Sequence, residues 1–270
     1  MKCVYGRKEI FQWKKYIPAV VLIFLHCYMF RQHMNIQMEL AGEIQPLCVG
    51  DYIADFYRGV FPFLGRTEGE PFNIPPVWSL YLIYFFAIIA YRYSRTYCQS
   101  EYQYVIRRIT RNRWWLYQSM MLVMESVVYV LVSALTFVIY GIAAGAKLTG
   151  IGGQLQMEWN GLDLLGLSGF GLWKETIFMT VLVLLALGAL QYVVSMSGNA
   201  LLGMFVSVAV LVSSVFWMHP LLPGNYLMLL RNEARMPGGV QVNTGIVLCV
   251  SISIVCFFAG RYILRRKDLF

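Results

Sequence analysis

The stretch YRYSRTYCQSEYQYVIRRITRNRWWLYQSMML, residues 91–122, is the one long polar interruption in this chain that is strongly basic. It contains six arginines and a single acid, and apolar runs of helical length flank it on both sides. Read as a helix, it places its apolar residues from Tyr102 to Ile109 on one face and arginines on the other. Trp114 and Trp115 follow where the chain would re-enter a bilayer, because indole rings favour the headgroup level. The pattern predicts an amphipathic cytoplasmic helix between two membrane spans.

Composition places the chain among membrane proteins. Of its 270 residues, 59% are hydrophobic and 13% are charged, whereas soluble domains carry about 25% charged residues. The 22 Lys and Arg residues outnumber the 14 Asp and Glu residues, but the cations stand at the ends of apolar runs, where membrane topology explains them. No nucleic-acid partner is therefore expected, and membrane lipids are the first expected partner.

Six apolar runs of helical length predict an all-α integral membrane fold with six transmembrane helices. A crossing needs about 20 residues, and the first run reaches that length only if its helix continues past Arg31. The chain shows no clear internal repeat, so residues 1–270 are interpreted as one domain. The predicted spans are about 16–38, 77–91, 115–142, 173–196, 200–218 and 244–264.

The segments between the apolar runs predict the orientation. Most of the 22 cations fall on one side of the predicted spans, and most of the acids fall on the other. Because short loops rich in Lys and Arg stay in the cytoplasm, both termini are predicted to be cytoplasmic. The basic segment 1–15 carries apolar anchors and predicts an interfacial helix, or else a frayed tail that only fixes topology. On the outer side, residues 51–63 predict a helix at the membrane surface, and residues 221–230 predict a re-entrant segment.

An active transporter needs an energy source, and the chain lacks the G-x-x-x-x-G-K-[ST] phosphate loop of ATPases. Ion-coupled carriers usually keep several ionisable groups inside the membrane. The interiors of the predicted spans offer His26 and Glu125 and little else. These observations favour a permease driven by a separate ATPase, which would push on the basic helix within residues 91–122.

Glu125 lies about ten residues into the third predicted span, near mid-depth at 1.5 Å per residue. A carboxylate there is costly unless it is partnered or protonated. One interpretation is a polar contact in a translocation path or at a subunit interface. The other is a structural hydrogen bond to a neighbouring helix, through Ser126, Tyr129 or Gln191.

An enzyme is the alternative from another class. Gly166-Leu167-Ser168-Gly169 matches the G-x-S-G of six-span intramembrane serine proteases. Their chemistry needs a histidine within hydrogen-bond reach of the serine, but the last predicted span has none, and His219 follows the fifth. A third possibility is an accessory or sensor membrane protein without transport of its own.

Five segments together resemble ABC-2-type permeases, the membrane subunits of ATP-binding-cassette exporters, and more narrowly a group from anaerobic Gram-positive bacteria. They follow the family order along nearly the whole chain. One departure is Gln118, since the family usually has a lysine near residue 117 or 118. The segments are GDYIADFYRGV (50–60), PPVWSLYLIY (75–84), YVIRRITRNRWWLYQSMM (104–121), LLPGNYLMLLR (221–231) and GRYILRRKDLF (260–270).

The resemblance implies a role for the basic stretch and a set of partners. The loop between the second and third spans would be a coupling helix that docks on an ABC ATPase subunit, which binds the ATP and Mg, so no cofactor is expected in this chain. Two permease subunits, identical or different, would combine with two ATPases in a bacterial cell membrane. The cargo would be an exported peptide (antimicrobial peptides included), drug or lipid-like molecule. The implied coupling residues are Arg107, Arg108, Ile109, Thr110, Arg111 and Arg113.

Overall fold

The apolar runs form helices in the structure, a computed structural model that describes residues 13–42, 45–63, 75–98, 110–164 and 166–266. No β-strand occurs among these residues, and short 3-10 turns cover Trp13–Tyr16, Pro223–Leu227 and Leu229–Arg231. Helix α6 contains one π-helical turn, Lys174–Phe178. The α-helices are α1 (Ile17–Ala41), α2 (Val49–Phe56), α3 (Pro76–Cys98), α4 (Arg111–Ala143), α5 (Gly153–Asn160), α6 (Gly169–Ser197), α7 (Ala200–Phe216) and α8 (Val242–Arg266).

Four of these helices are long and apolar enough to cross a bilayer: α3 over Pro76–Arg95, α4, α6 and α8. Helix α7 is apolar but shorter, and α1, whose last turns are polar, is not among the four. The described part of the chain is therefore helical with four candidate membrane spans, which indicates a membrane protein. The arrangement of six spans remains a prediction.

Helices extend beyond the predicted spans on both sides of the basic stretch. Helix α3 continues past residue 91 to Cys98, and α4 begins at Arg111 instead of residue 115. Arg111 and Arg113 therefore lie in the first turn of α4, which corrects their placement in a helix of its own. No Gly or Pro interrupts this part of the sequence, and Arg and Leu have high helix propensity. The start of a helix and the point of bilayer entry thus need not coincide.

Helix α6 is central, since it packs against α3, α4, α7 and α8. It approaches α7 closely after a tight turn. The side-chain oxygen of Asn199 accepts the Leu202 N–H at 2.8 Å and caps α7. Gly203 lies against Ser195 and the Gln191 carbonyl, where a Cβ would collide with both. Small residues allow this kind of close approach between membrane helices.

The loops at one end of the bundle form a distal cap, which we define as residues 45–63, 144–164 and 217–241. Helix α2 lies within it and is almost completely buried, packed against α1 and α4. Asp51 joins two of its loops, because its carboxylate accepts the N–H groups of Cys48 and Gly152, each at 2.8 Å. The surface helix predicted within residues 51–63 is therefore covered by other parts of the chain.

The predicted re-entrant segment folds as two 3-10 turns, and residues 223–232 are all buried in the distal cap. Its backbone pairs with the chain that follows α2, since the Leu229 N–H donates to the Tyr57 carbonyl at 2.8 Å. Asn225 donates to the carbonyls of Trp217 and His219, which follow α7. The segment is thus enclosed by protein, with its polar backbone groups satisfied locally.

Candidate functional site

The candidate site is the end of the bundle opposite the distal cap. We define this basic end as residues 13–16, 91–98, 110–118 and 257–266. Helix α4 is joined there to the end of α8: Arg111 donates to the Arg265 carbonyl at 3.4 Å, and Arg261 donates to the Asn112 side chain at 3.3 Å. The cations that begin α4 and end α8 therefore lie together at this end of the bundle.

The structure describes three of the six residues predicted to contact an ATPase. Thr110 is exposed and precedes α4, while Arg111 is partly exposed and Arg113 is exposed in the first turn. Arg107, Arg108 and Ile109 lie outside the described residues. The three that are described stand at the tip of the basic end, where another protein could reach them.

Trp115 fixes the start of α4 to α8. Its indole N–H donates to the Phe257 carbonyl at 3.0 Å, and its ring lies directly over Gly260, where a Cβ would collide with it. The side chain is 4% exposed. Trp115, which the sequence predicted to mark the membrane interface, therefore joins α4 to α8. A residue larger than glycine at position 260 would collide with its ring.

Glu125 is bound by the segment that precedes α1. Its Oε2 atom lies 2.6 Å from Lys15 Nζ, and its Oε1 atom accepts a hydrogen bond from the Tyr16 hydroxyl at 2.9 Å. The carboxylate is 4% exposed and the lysine side chain 22% exposed. The Tyr84 hydroxyl donates to the Lys15 carbonyl at 2.8 Å and holds the same segment against α3. Glu125 therefore ties the N-terminal segment to α4.

The hydrogen-bond partners suggested for Glu125 from the sequence were wrong. Each of them makes a bond of its own to a backbone carbonyl, so none is directed at the carboxylate. Ser126 donates to Leu122, Tyr129 donates to Tyr81, and Gln191 donates to Phe86. Lys15 is 110 residues away in the sequence, and no local pattern could have identified it. Two basic residues directly before the first apolar run were the only signal.

A small cavity of about 40 Å³ lies beside this ion pair. It holds little more than one or two waters, so it is too small for cargo. Arg92 in its wall donates to Gln118 at 3.0 Å and thereby connects α3 to α4. The cations around the cavity outnumber the single carboxylate, which keeps this region positive. Its lining residues are Lys15, Ile88, Tyr91, Arg92, Arg95, Met121 and Glu125.

The serine of the G-x-S-G match has a local structural role. The Ser168 hydroxyl accepts the Gly171 N–H at 3.0 Å and caps the first turn of α6. The His219 ring accepts the Leu221 N–H at 3.2 Å in the turn after α7. Within the described residues, no group of three or more His, Cys, Asp or Glu side chains is placed to hold a metal ion.

Arg231 in the distal cap was not singled out from the sequence. It is fully buried, and its guanidinium donates to the carbonyls of Val60, Phe61, Ser214 and Val215 and to the Asn225 side chain. Two of these carbonyls belong to the last turn of α7, which the cation caps favourably. Burial lowers the pKa of Arg231 to about 10. A lone arginine after an apolar run was the only signal in the sequence.

Comparisons with known proteins supply no further identification. No protein-family model, curated protein or solved structure matches the chain. The resemblance to ABC-2 permeases therefore rests on the five quoted segments.

Proposed function

We propose that the chain is the permease subunit of an ATP-driven exporter, which moves a peptide, drug or lipid-like substrate out of the cytoplasm. A separate ATP-binding-cassette ATPase would supply the energy, and two permease subunits would form the complete membrane part. The proposal combines the sequence resemblance with the gathering of exposed arginines at one end of a helical bundle. The observation that carries it is the path of α4.

Helix α4 begins at Arg111, in the predicted coupling stretch, and continues for 33 residues, about 50 Å at 1.5 Å per residue. Its far end reaches the distal cap, where Gly141 contacts Val49 of α2. A continuous helix moves largely as a rigid element. A partner that displaces Arg111 would therefore displace the distal cap as well, which is what coupling of ATP hydrolysis to transport requires.

Several contacts at the basic end would make other helices follow such a movement. Trp115 joins α4 to α8, Arg92 joins α3 to α4, and Glu125 joins α4 to the N-terminal segment. The displacement would therefore not be absorbed by α4 alone. In this proposal Glu125 transmits movement between elements, and it need not touch the cargo.

The test is co-purification of the chain from native membranes in a mild detergent, followed by identification of bound proteins and measurement of ATP hydrolysis. We expect an ATP-binding-cassette ATPase in about equal amount. The double substitution Arg108→Glu and Arg111→Glu should remove the ATPase, because each change replaces a cation that is expected to contact the ATPase with a carboxylate of opposite charge.

Lys14→Glu is the matched control, since Lys14 is an exposed cation at the same end but outside the coupling stretch. It should retain the ATPase. If the arginine double variant binds the ATPase and supports ATP hydrolysis as well as the parent chain does, the coupling assignment is wrong. If no ATPase accompanies the parent chain, the exporter proposal is rejected.

A further inference from the structure

A groove of about 250 Å³ opens between α4, α6 and α8 next to the basic end. Its lining is almost entirely apolar. Val123, which forms part of the wall, is 42% exposed, and Phe258 is 61% exposed. The remaining wall includes Trp115, Leu122, Leu185 and Ala189. The groove is therefore open along the surface of helices that can cross a bilayer.

Two arginines lie about one helical turn beyond one end of this groove. Arg111 precedes Trp115 by one helical turn, and Arg261 follows Phe258 by about one turn, a distance of about 5.4 Å along each axis. Both are held in place, since Arg111 donates to the Arg265 carbonyl and Arg261 donates to Asn112. The residues 111–124, 179–199 and 242–266 contain no acid. The groove is thus largely apolar, although Gln118, Ser119, Tyr192 and Ser253 contribute to its lining, and it is positive at one end.

We infer that this groove binds an anionic glycerophospholipid, with one acyl chain in the groove and the headgroup phosphate against Arg111 and Arg261. The groove runs along α4 from Trp115 to Val123, about 12 Å at 1.5 Å per residue. One leaflet contributes about 15 Å of hydrocarbon, so the groove accommodates most of an acyl chain. The charge at its end selects a negative headgroup over a neutral one. This inference requires the membrane placement but not the transport function.

Native mass spectrometry of the detergent-solubilised full chain measures this binding directly. The protein is titrated with phosphatidylglycerol and, separately, with phosphatidylcholine carrying the same acyl chains. We expect tighter binding of phosphatidylglycerol. Arg111→Gln and Arg261→Gln should each reduce that preference by about fivefold, the factor expected for one cation beside an anionic lipid.

The groove itself is tested by Val123→Trp, which fills it from an exposed position and leaves the buried core unchanged. Leu131→Trp is the matched control, because Leu131 is also exposed on α4 but is two turns further along the helix and outside the groove. We expect Val123→Trp to remove the tightly bound phosphatidylglycerol and Leu131→Trp to retain it. Ala189→Phe provides a second filling variant from α6.

Three results would overturn the inference. Equal binding of the two lipids would show that the positive end does not select a headgroup. Loss of binding in the arginine variants but not in either filling variant would show general attraction of lipid to the basic end, without a groove site. If the filling variants instead break a dimer of the chain and leave lipid binding unchanged, the groove is covered by a second copy.

Discussion

The ion pair between Lys15 and Glu125 gives the sharpest test of the packing at the basic end. The perturbation is Lys15→Met, which keeps most of the length of the side chain and removes its charge. Glu125 would then remain 4% exposed with the Tyr16 hydroxyl as its remaining direct partner. Removing one partner of a buried ion pair typically costs about 3–5 kcal/mol. Since the lysine is 22% exposed, we expect about 3 kcal/mol.

Substituting the other partner of the ion pair, Glu125, should destabilise the protein less. In Glu125→Gln the amide oxygen can still accept from Tyr16, and Lys15 can turn its ammonium group toward water. We expect a loss of about 1–2 kcal/mol, the usual cost of a weakened charged hydrogen bond. In the double variant the uncompensated carboxylate is absent. The double variant should therefore lose about 1–2 kcal/mol and be more stable than Lys15→Met alone, which corresponds to a coupling energy of about 3 kcal/mol between the two sites.

The assay is unfolding of the purified chain in detergent, followed by tryptophan fluorescence, with Lys14→Met as the control. Lys14 is exposed beside Lys15, so its substitution should change stability by less than about 0.5 kcal/mol. The reasoning is refuted if Lys15→Met and the double variant are equally destabilised. It is also refuted if the loss in Lys14→Met matches the loss in Lys15→Met.

Two further predictions concern the distal cap. Arg231→Met should lower the unfolding free energy by about 3–5 kcal/mol, because buried carbonyls at the end of α7 lose their donors. Arg231→Lys keeps three donors in place of five, so its stability in the same unfolding assay should lie between those of Arg231→Met and the parent. Equal stability of all three proteins would contradict the buried network. Burial raises the pKa of the Asp51 carboxyl above its ordinary value of 3.8. The folded state therefore keeps this proton to a higher pH than the unfolded state, so stability from this group is greatest below the ordinary pKa and falls as the pH rises through the raised value. Asp51→Asn should remove that part of the dependence of the unfolding free energy on pH. It should also cost about 1–2 kcal/mol, because one of two backbone N–H groups loses its acceptor. An unchanged dependence of the unfolding free energy on pH from pH 4 to 7 would contradict the assignment.

The sequence alone determined where the helices form and which of their ends are basic. Long apolar runs predicted α3, α4, α6 and α8 close to their observed positions, because hydrophobicity and helix propensity are local properties. Helix boundaries were less accurate beside the basic stretch, since the hydrophobic pattern shows where a bilayer begins and not where hydrogen bonding of the helix begins. Arg111 and Arg113 illustrate that difference.

Only the tertiary structure decided which side chains meet. Lys15 contacts Glu125 across 110 residues, and Arg231 contacts Val60 across 171 residues. Neither pairing has a sequence signal, because the geometry of a long-range contact depends on how whole helices pack. The groove between α4, α6 and α8 likewise exists only once three helices are assembled. Local patterns thus determined the helices, whereas burial and hydrogen bonding between distant segments decided the partner of each charged group.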